Sequence, residues 1–121
     1  IVYDAREDAR QFIQARLDAG EKVRGYEVDR RLKERFEQLG CAQYLMHRTG
    51  HNIGHRCHGI GANLDDYETH DDRCLLPGTM FSIEPGLYTD KYGVRLEYDV
   101  HITSEGETKV YGPVQDEILV I

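Results

Sequence analysis

The chain has 121 residues, 40% apolar and 31% charged, which fits one soluble domain with a real core. Its net charge of −7 lies wholly in residues 41–121, since residues 1–40 hold nine basic and nine acidic side chains. That sign argues against a nucleic-acid partner, which needs cations to neutralise phosphates, and no apolar run reaches the roughly 18 residues of a membrane span.

In chain order, residues 2–19 predict a helix, with Ala5, Ala9, Phe12, Ile13 and Leu17 on one face and Gly20 placed to stop it. Residues 27–39 predict a second, with Val28, Leu32, Phe36 and Leu39 as its stripe and Gly40 at its end. Beyond Gly40 the texture changes to glycines, turn residues and short β-branched or aromatic runs. Residues 80–83, 93–103 and 108–111 read as strands, separated by turn signals at Pro77-Gly78, Pro85-Gly86 and Glu105-Gly106. Residues 62–73 read as a polar, acidic, solvated loop. Two helices followed by strands predict a single α+β domain over 1–121, its helices on one face of a mainly antiparallel sheet.

Four of the six histidines (His47, His51, His55 and His58) stand within twelve residues. Imidazole is the commonest protein metal ligand and titrates nearest neutrality, so the cluster points to metal chemistry, proton transfer or both. A shared helical face would follow from the spacing, but Gly50, Gly54 and Gly59 each cost about 1 kcal/mol in a helix interior. An extended, bent segment is the expectation, and the four rings need not converge. Taken alone, any one of them is more often an ordinary polar residue than a ligand.

Downstream, Glu84 ends an apolar strand and Glu97 lies within a second strand pattern. A carboxylate there is costly to bury unless it is paired or binds a metal. Alternation equally permits Arg95 and Glu97 to form a surface ion pair, and sequence physics leaves the two readings open. The three cysteines (Cys41, Cys57 and Cys74) form no Cys-x-x-Cys pair, so free thiols in a reducing cytoplasm are expected. No signal peptide is evident, and the opening at Ile1 on a helix suggests a piece of something longer.

Four elements occur in a fixed order: Gly50-His51-Asn52-Ile53-Gly54, His58 seven residues after His51, Ser82-Ile83-Glu84-Pro85-Gly86, and Gly93-Val94-Arg95-Leu96-Glu97. Together they resemble the C-terminal half of the pita-bread metallopeptidases, which include methionine aminopeptidases, Xaa-Pro aminopeptidases and prolidases. The Ile-Glu-Pro-Gly and Val-Arg-x-Glu elements look most like the proline-peptidase branch, and the resemblance covers nearly the whole chain. It implies two helices on a curved sheet, and a two-metal centre (Mn, Co, Zn or Fe) that hydrolyses N-terminal Xaa-Pro bonds through a bridging hydroxide. His51 matches the histidine ligand and Glu97 a carboxylate bridging both metals. Glu84 matches a ligand that also moves protons to and from the water. His58 and His47 match histidines that bind the peptide and steady the tetrahedral intermediate, and Arg95 an arginine that orients a ligand carboxylate. His55 matches no role and is expected to face solvent. The substrate would be a short peptide, and homodimers occur among such enzymes.

Two departures accompany the resemblance. The family centre has five protein ligands, two of them aspartates from strands upstream of the first helix. Asp4 and Asp8, on the opening helix, do not replace them. The chain is therefore expected to supply three of five ligands and to be inactive alone. In addition, Gly59 follows His58 where many relatives carry an acidic residue, which bears on substrate preference. Two further readings compete with the enzyme. One is a non-catalytic relative keeping the fold as a peptide- or protein-binding module. The other is a simple metal binder using the four histidines, in which Glu97 would not matter.

Overall fold

A computed structural model describes residues 1–118 and 120. Helix α1 runs Val2–Asp18 and helix α2 Gly25–Gln38. Both end before glycines in the left-handed region, Gly20 and Gly40, at φ of 69° and 66°. Helix α2 begins two residues earlier than the periodicity predicts, because Arg24 is extended and the Glu27 carboxylate accepts its backbone N–H at 2.7 Å. A short 3-10 turn, Ala42–Tyr44, leads into strands β1 (Asn52–Ile53), β2 (Met80–Ile83), β3 (Gly86–Tyr88), β4 (Gly93–Arg95), β5 (Tyr98–Ile102) and β6 (Thr108–Val110).

Four strands make one antiparallel sheet in the order β1-β2-β5-β6, and β3 and β4 form a hairpin. Phe81, Ile83, Tyr98, Val100 and Ile102 project from the sheet into one core with Ala9, Ile13, Val23 and Val28 from the helical layer. A second cluster, Ala5, Leu32, Phe36, Cys41 and Leu45, binds the helices to each other. Arg6 anchors α1 further: its buried guanidinium lies 4.4 Å from the Tyr98 ring centroid. The expected α+β arrangement is therefore the one observed.

The strand predicted over 93–103 is broken. Its first part pairs with β3 and its second with β2. The cause lies on the partner strand, where Pro85 has no N–H to continue the ladder. Register nevertheless continues across the break. Ile83 faces Tyr98 and Gly86 faces Arg95, so Glu84 falls opposite Glu97, and Leu96 N–H donates to the Pro85 carbonyl at 3.3 Å.

The acidic loop is only partly solvated: residues 67–70, 72 and 73 are exposed, but its anchoring residues are not. Asp65 and Asp71 are buried, with Ala62 and Leu64. Asp65 accepts the backbone N–H groups of Tyr67, Glu68 and Thr69, and Asp71 accepts that of Asn63. The Arg73 guanidinium, with the N–H groups of Asn63 and Arg73, pulls the Asp71 carboxyl down to about 2. A depressed folded-state pKa means that the folded chain binds fewer protons than the unfolded one. The stabilisation is then complete above the unfolded value near 3.8 and lost as pH falls through about 2. Asp71→Asn is expected to lower the urea midpoint at pH 7, and the gap from the parent chain should shrink as pH approaches 2.

Candidate metal centre

The sheet has two faces, and residues alternate between them. Phe81, Ile83, Tyr98 and Val100 belong to the helix-facing core, so Ser82, Glu84, Glu97 and Asp99 alternate onto the other face. The β1–β2 register extends backward from the strand, with Ser82 N–H donating to the His51 carbonyl at 2.9 Å and Glu84 N–H to the Thr49 carbonyl at 2.8 Å. His51 therefore sits beside Ser82, one step along from Glu84, which itself faces Glu97. A histidine and two glutamates from three adjacent strand segments meet on one face.

The geometry agrees with that derivation. One ligand atom from each of His51, Glu84 and Glu97 lies within 4.8 Å of the others. His51 is buried and Glu84 partly so, while Glu97 is on the open side. His51 Nε2 stands 3.3 Å from Glu84 Oε1. Its Nδ1 lies 3.0 Å from the Asn52 carbonyl, which can only accept, so Nδ1 carries the hydrogen and the neutral ring leaves its lone pair on Nε2. That lone pair and the Glu84 oxygen face each other as two acceptors, and only a proton or a cation can stand between them. Partial desolvation of its carboxyl pushes Glu97 up, with further push from Glu84 and Asp99, while Arg95 and His51 pull it down. A crowd of carboxylates around a free imidazole nitrogen is a donor set suited to a divalent cation.

The supporting contacts are built from nearby residues. The Ser82 hydroxyl donates to Glu84 Oε1 at 2.9 Å and accepts the His51 N–H at 3.0 Å, joining the two strands at the site. Arg95 Nη1 lies 3.7 Å from Glu84 Oε2, so Arg95 pairs with Glu84 rather than making the surface pair with Glu97 that alternation allowed. Helix α2 fixes the approach to His51. Buried Asp29 accepts the Thr49 N–H at 2.7 Å and the Thr49 hydroxyl at 2.6 Å, and its other oxygen accepts the Asp66 N–H at 2.7 Å.

The His58 ring lies edge-on to His51, with centroids 4.3 Å apart, and is exposed. His47 lies apart from this cluster in its contacts: Nδ1 donates to the Arg48 carbonyl at 2.7 Å and Nε2 accepts the Tyr88 hydroxyl at 2.8 Å. His55 is exposed, as expected. Asp4 lies near the N-terminal amine at 3.8 Å, and Asp8 takes two hydrogen bonds from Arg31 at 2.8 and 2.9 Å, so neither turns to the site. Sequence reading missed Ser82, Tyr88, Asp29 and Asp99. Ser82 and Asp99 each stand two residues from a predicted glutamate, so strand alternation carried their signal. Tyr88 and Asp29 gave none. An apolar groove of about 450 Å³, lined among others by Tyr3, Tyr44, Leu87 and Tyr92, contains none of the three ligand candidates. Donor chemistry, not concavity, therefore locates the site.

Comparison with known proteins follows the same outline. Residues 1–104 match the model of metallopeptidase family M24. The chain is 36% identical over 90 residues to a probable dipeptidase PepE of Mycobacterium bovis, covering 73% of this chain and 23% of that protein. It is 31% identical over 110 residues to an Xaa-Pro dipeptidase of Lactobacillus helveticus, covering 87% and 27%. The crystal structure of a dipeptidase from Pyrococcus horikoshii OT3 superposes with a TM-score of 0.79 at 30% identity, over 99% of this chain and 31% of that one. The chain thus spans about a quarter to a third of the length of these relatives.

Proposed function

The chain belongs to metallopeptidase family M24, and on that premise we propose that it forms part of a metal-dependent aminopeptidase or dipeptidase cleaving N-terminal Xaa-Pro type bonds. The observation that carries this reading is the register that sets Glu84 opposite Glu97 with His51 beside them, three donors within 4.8 Å. His51, Glu84 and Glu97 would hold divalent ions, as three of the five ligands that the family resemblance implies. Manganese, cobalt, zinc and iron all suit this donor set, with availability deciding among them. When bound, the ions supply an acidified water and a polarised peptide carbonyl.

The protein residues do the rest. Glu84 accepts a proton from the attacking water and delivers it to the leaving amine nitrogen. Arg95 and the Ser82 hydroxyl hold its two oxygens in place meanwhile. His58 would bind the peptide, a role supported by its exposure beside His51. His47 is given the same substrate-binding role, with Tyr88 fixing its ring. The free thiols of Cys41, Cys57 and Cys74 support a reducing, cytoplasmic setting.

The test compares the 121-residue chain with a longer form to which two aspartate-bearing strands are supplied upstream. The longer form is expected to bind two Mn²⁺ per chain and hydrolyse Xaa-Pro dipeptides, and the 121-residue chain to bind fewer and cleave none. Two ions per chain with Xaa-Pro cleavage by the short form would contradict the proposed division of ligands.

A further inference from the structure

One side chain near the centre has no part in that chemistry. Cys57 is a free, exposed thiol, and a ligand atom from each of His51, Cys57 and His58 lies within 4.8 Å of the others. The segment carrying Cys57 and His58 is tied down on its C-terminal side by one residue. The Asn52 carbonyl accepts the Gly59 N–H at 2.8 Å, and the Asn52 side-chain oxygen accepts the Gly61 N–H at 2.9 Å. Within the turn, Gly54 N–H donates to the Arg56 carbonyl at 3.1 Å. The same Asn52 carbonyl fixes the His51 ring through Nδ1. Asn52 thus orients His51 and tethers the loop that brings the thiol and the second imidazole to it.

We propose that Cys57, His58 and His51 form a second cation site, selective for a thiophilic d¹⁰ ion such as Zn²⁺ or Cd²⁺. One thiolate and two imidazoles are the donors such ions prefer, whereas the neighbouring carboxylates suit harder ions. The exposure of Cys57 and His58 leaves the fourth coordination position to water. Binding releases the Cys57 thiol proton to solvent. His51 has a single free lone pair, on Nε2, so it serves one ion at a time. A thiophilic cation would therefore withdraw His51 from Glu84 and Glu97. This last consequence rests on the role proposed above for His51; the thiolate site itself does not.

The experiment titrates Cd²⁺ alone into the reduced full chain and follows the ultraviolet thiolate-to-cadmium charge-transfer absorption. One equivalent should saturate the band, the Glu84→Gln and Glu97→Gln chains should give the same band, and Cys57→Ser should lose it. Cys57 and His58 are exposed, so neither Cys57→Ser nor His58→Ala threatens the fold. His58→Ala should weaken cadmium binding by about tenfold or more, since losing a direct ligand costs at least what losing a supporting contact does. A band that persists in Cys57→Ser, no band in the parent chain, or equal affinity in His58→Ala would overturn the site. The hydrolytic reading fails separately: Mn²⁺ content unchanged by Glu97→Gln would sink it while a Cys57-dependent cadmium band still upheld this site.

Discussion

His51→Ala is expected to lower Mn²⁺ affinity by about 100-fold or more, because even outer contacts of a metal site are worth 10–100-fold. The effect comes from one atom. The Asn52 carbonyl takes the hydrogen on Nδ1, so the neutral ring presents its lone pair on Nε2, which is held 3.3 Å from Glu84 Oε1. Removing the ring deletes the only nitrogen in the proposed hard-ion donor set and leaves Glu84 and Glu97 as its two remaining donors. The fold should survive, since the Asn52 carbonyl keeps its bond from Gly59 N–H. His55→Ala is the matched control: His55 is exposed, and its removal should change neither affinity nor circular dichroism. Isothermal titration of the three chains with Mn²⁺ decides the matter, and affinities within threefold of one another would remove His51 from the centre.

A large loss of stability should come from Gly50→Ala. A Cβ at position 50 would lie 1.9 Å from the Ser82 carbonyl oxygen and 2.8 Å from its carbon, both in the backbone of the neighbouring strand. No rotamer change relieves a clash with backbone, so either β1 moves away from β2 or the Gly50–Leu64 bridge, with its hydrogen bonds of 3.0 and 3.3 Å, gives way. Overpacking of a rigid interior typically costs 1–3 kcal/mol, and a clash this close should cost about 3 kcal/mol or more. The same movement displaces His51, the next residue, so metal binding should fall along with stability. Gly54 offers the comparison, because its nearest neighbour would be 3.6 Å from an added Cβ, an ordinary contact. Urea unfolding should place Gly50→Ala well below Gly54→Ala, and equal midpoints would mean that the strands are not packed this closely.

Much of the arrangement was legible in the sequence, for reasons that differ by element. The helices were readable because a 3.6-residue stripe is a local signal, and Val28, Leu32 and Phe36 carry it without help from the rest of the chain. Glu84 and Glu97 were readable as candidates through their motifs, but their meeting was not. It depends on the pairing register of two segments distant in the chain, which carries across the break at Pro85 and leaves no local pattern. Strands β1 and β3, of two and three residues, are shorter than any periodicity can reveal. The 62–73 segment misled because composition cannot show that Asp65 finds three backbone N–H groups and so can be buried. His47, read only through the resemblance, gave no hint that Tyr88 would hold its Nε2.

The proposed centre holds a hard divalent ion jointly through His51, Glu84 and Glu97, not through the histidine cluster. The most direct measurement is the Mn²⁺ content of the parent, Glu97→Gln and Cys57→Ser chains after equilibrium dialysis against the same buffer. Glu97→Gln keeps the size and removes the charge, so metal content should fall sharply, while Cys57→Ser should match the parent. Undiminished manganese in Glu97→Gln would contradict the account and return the site to the four histidines.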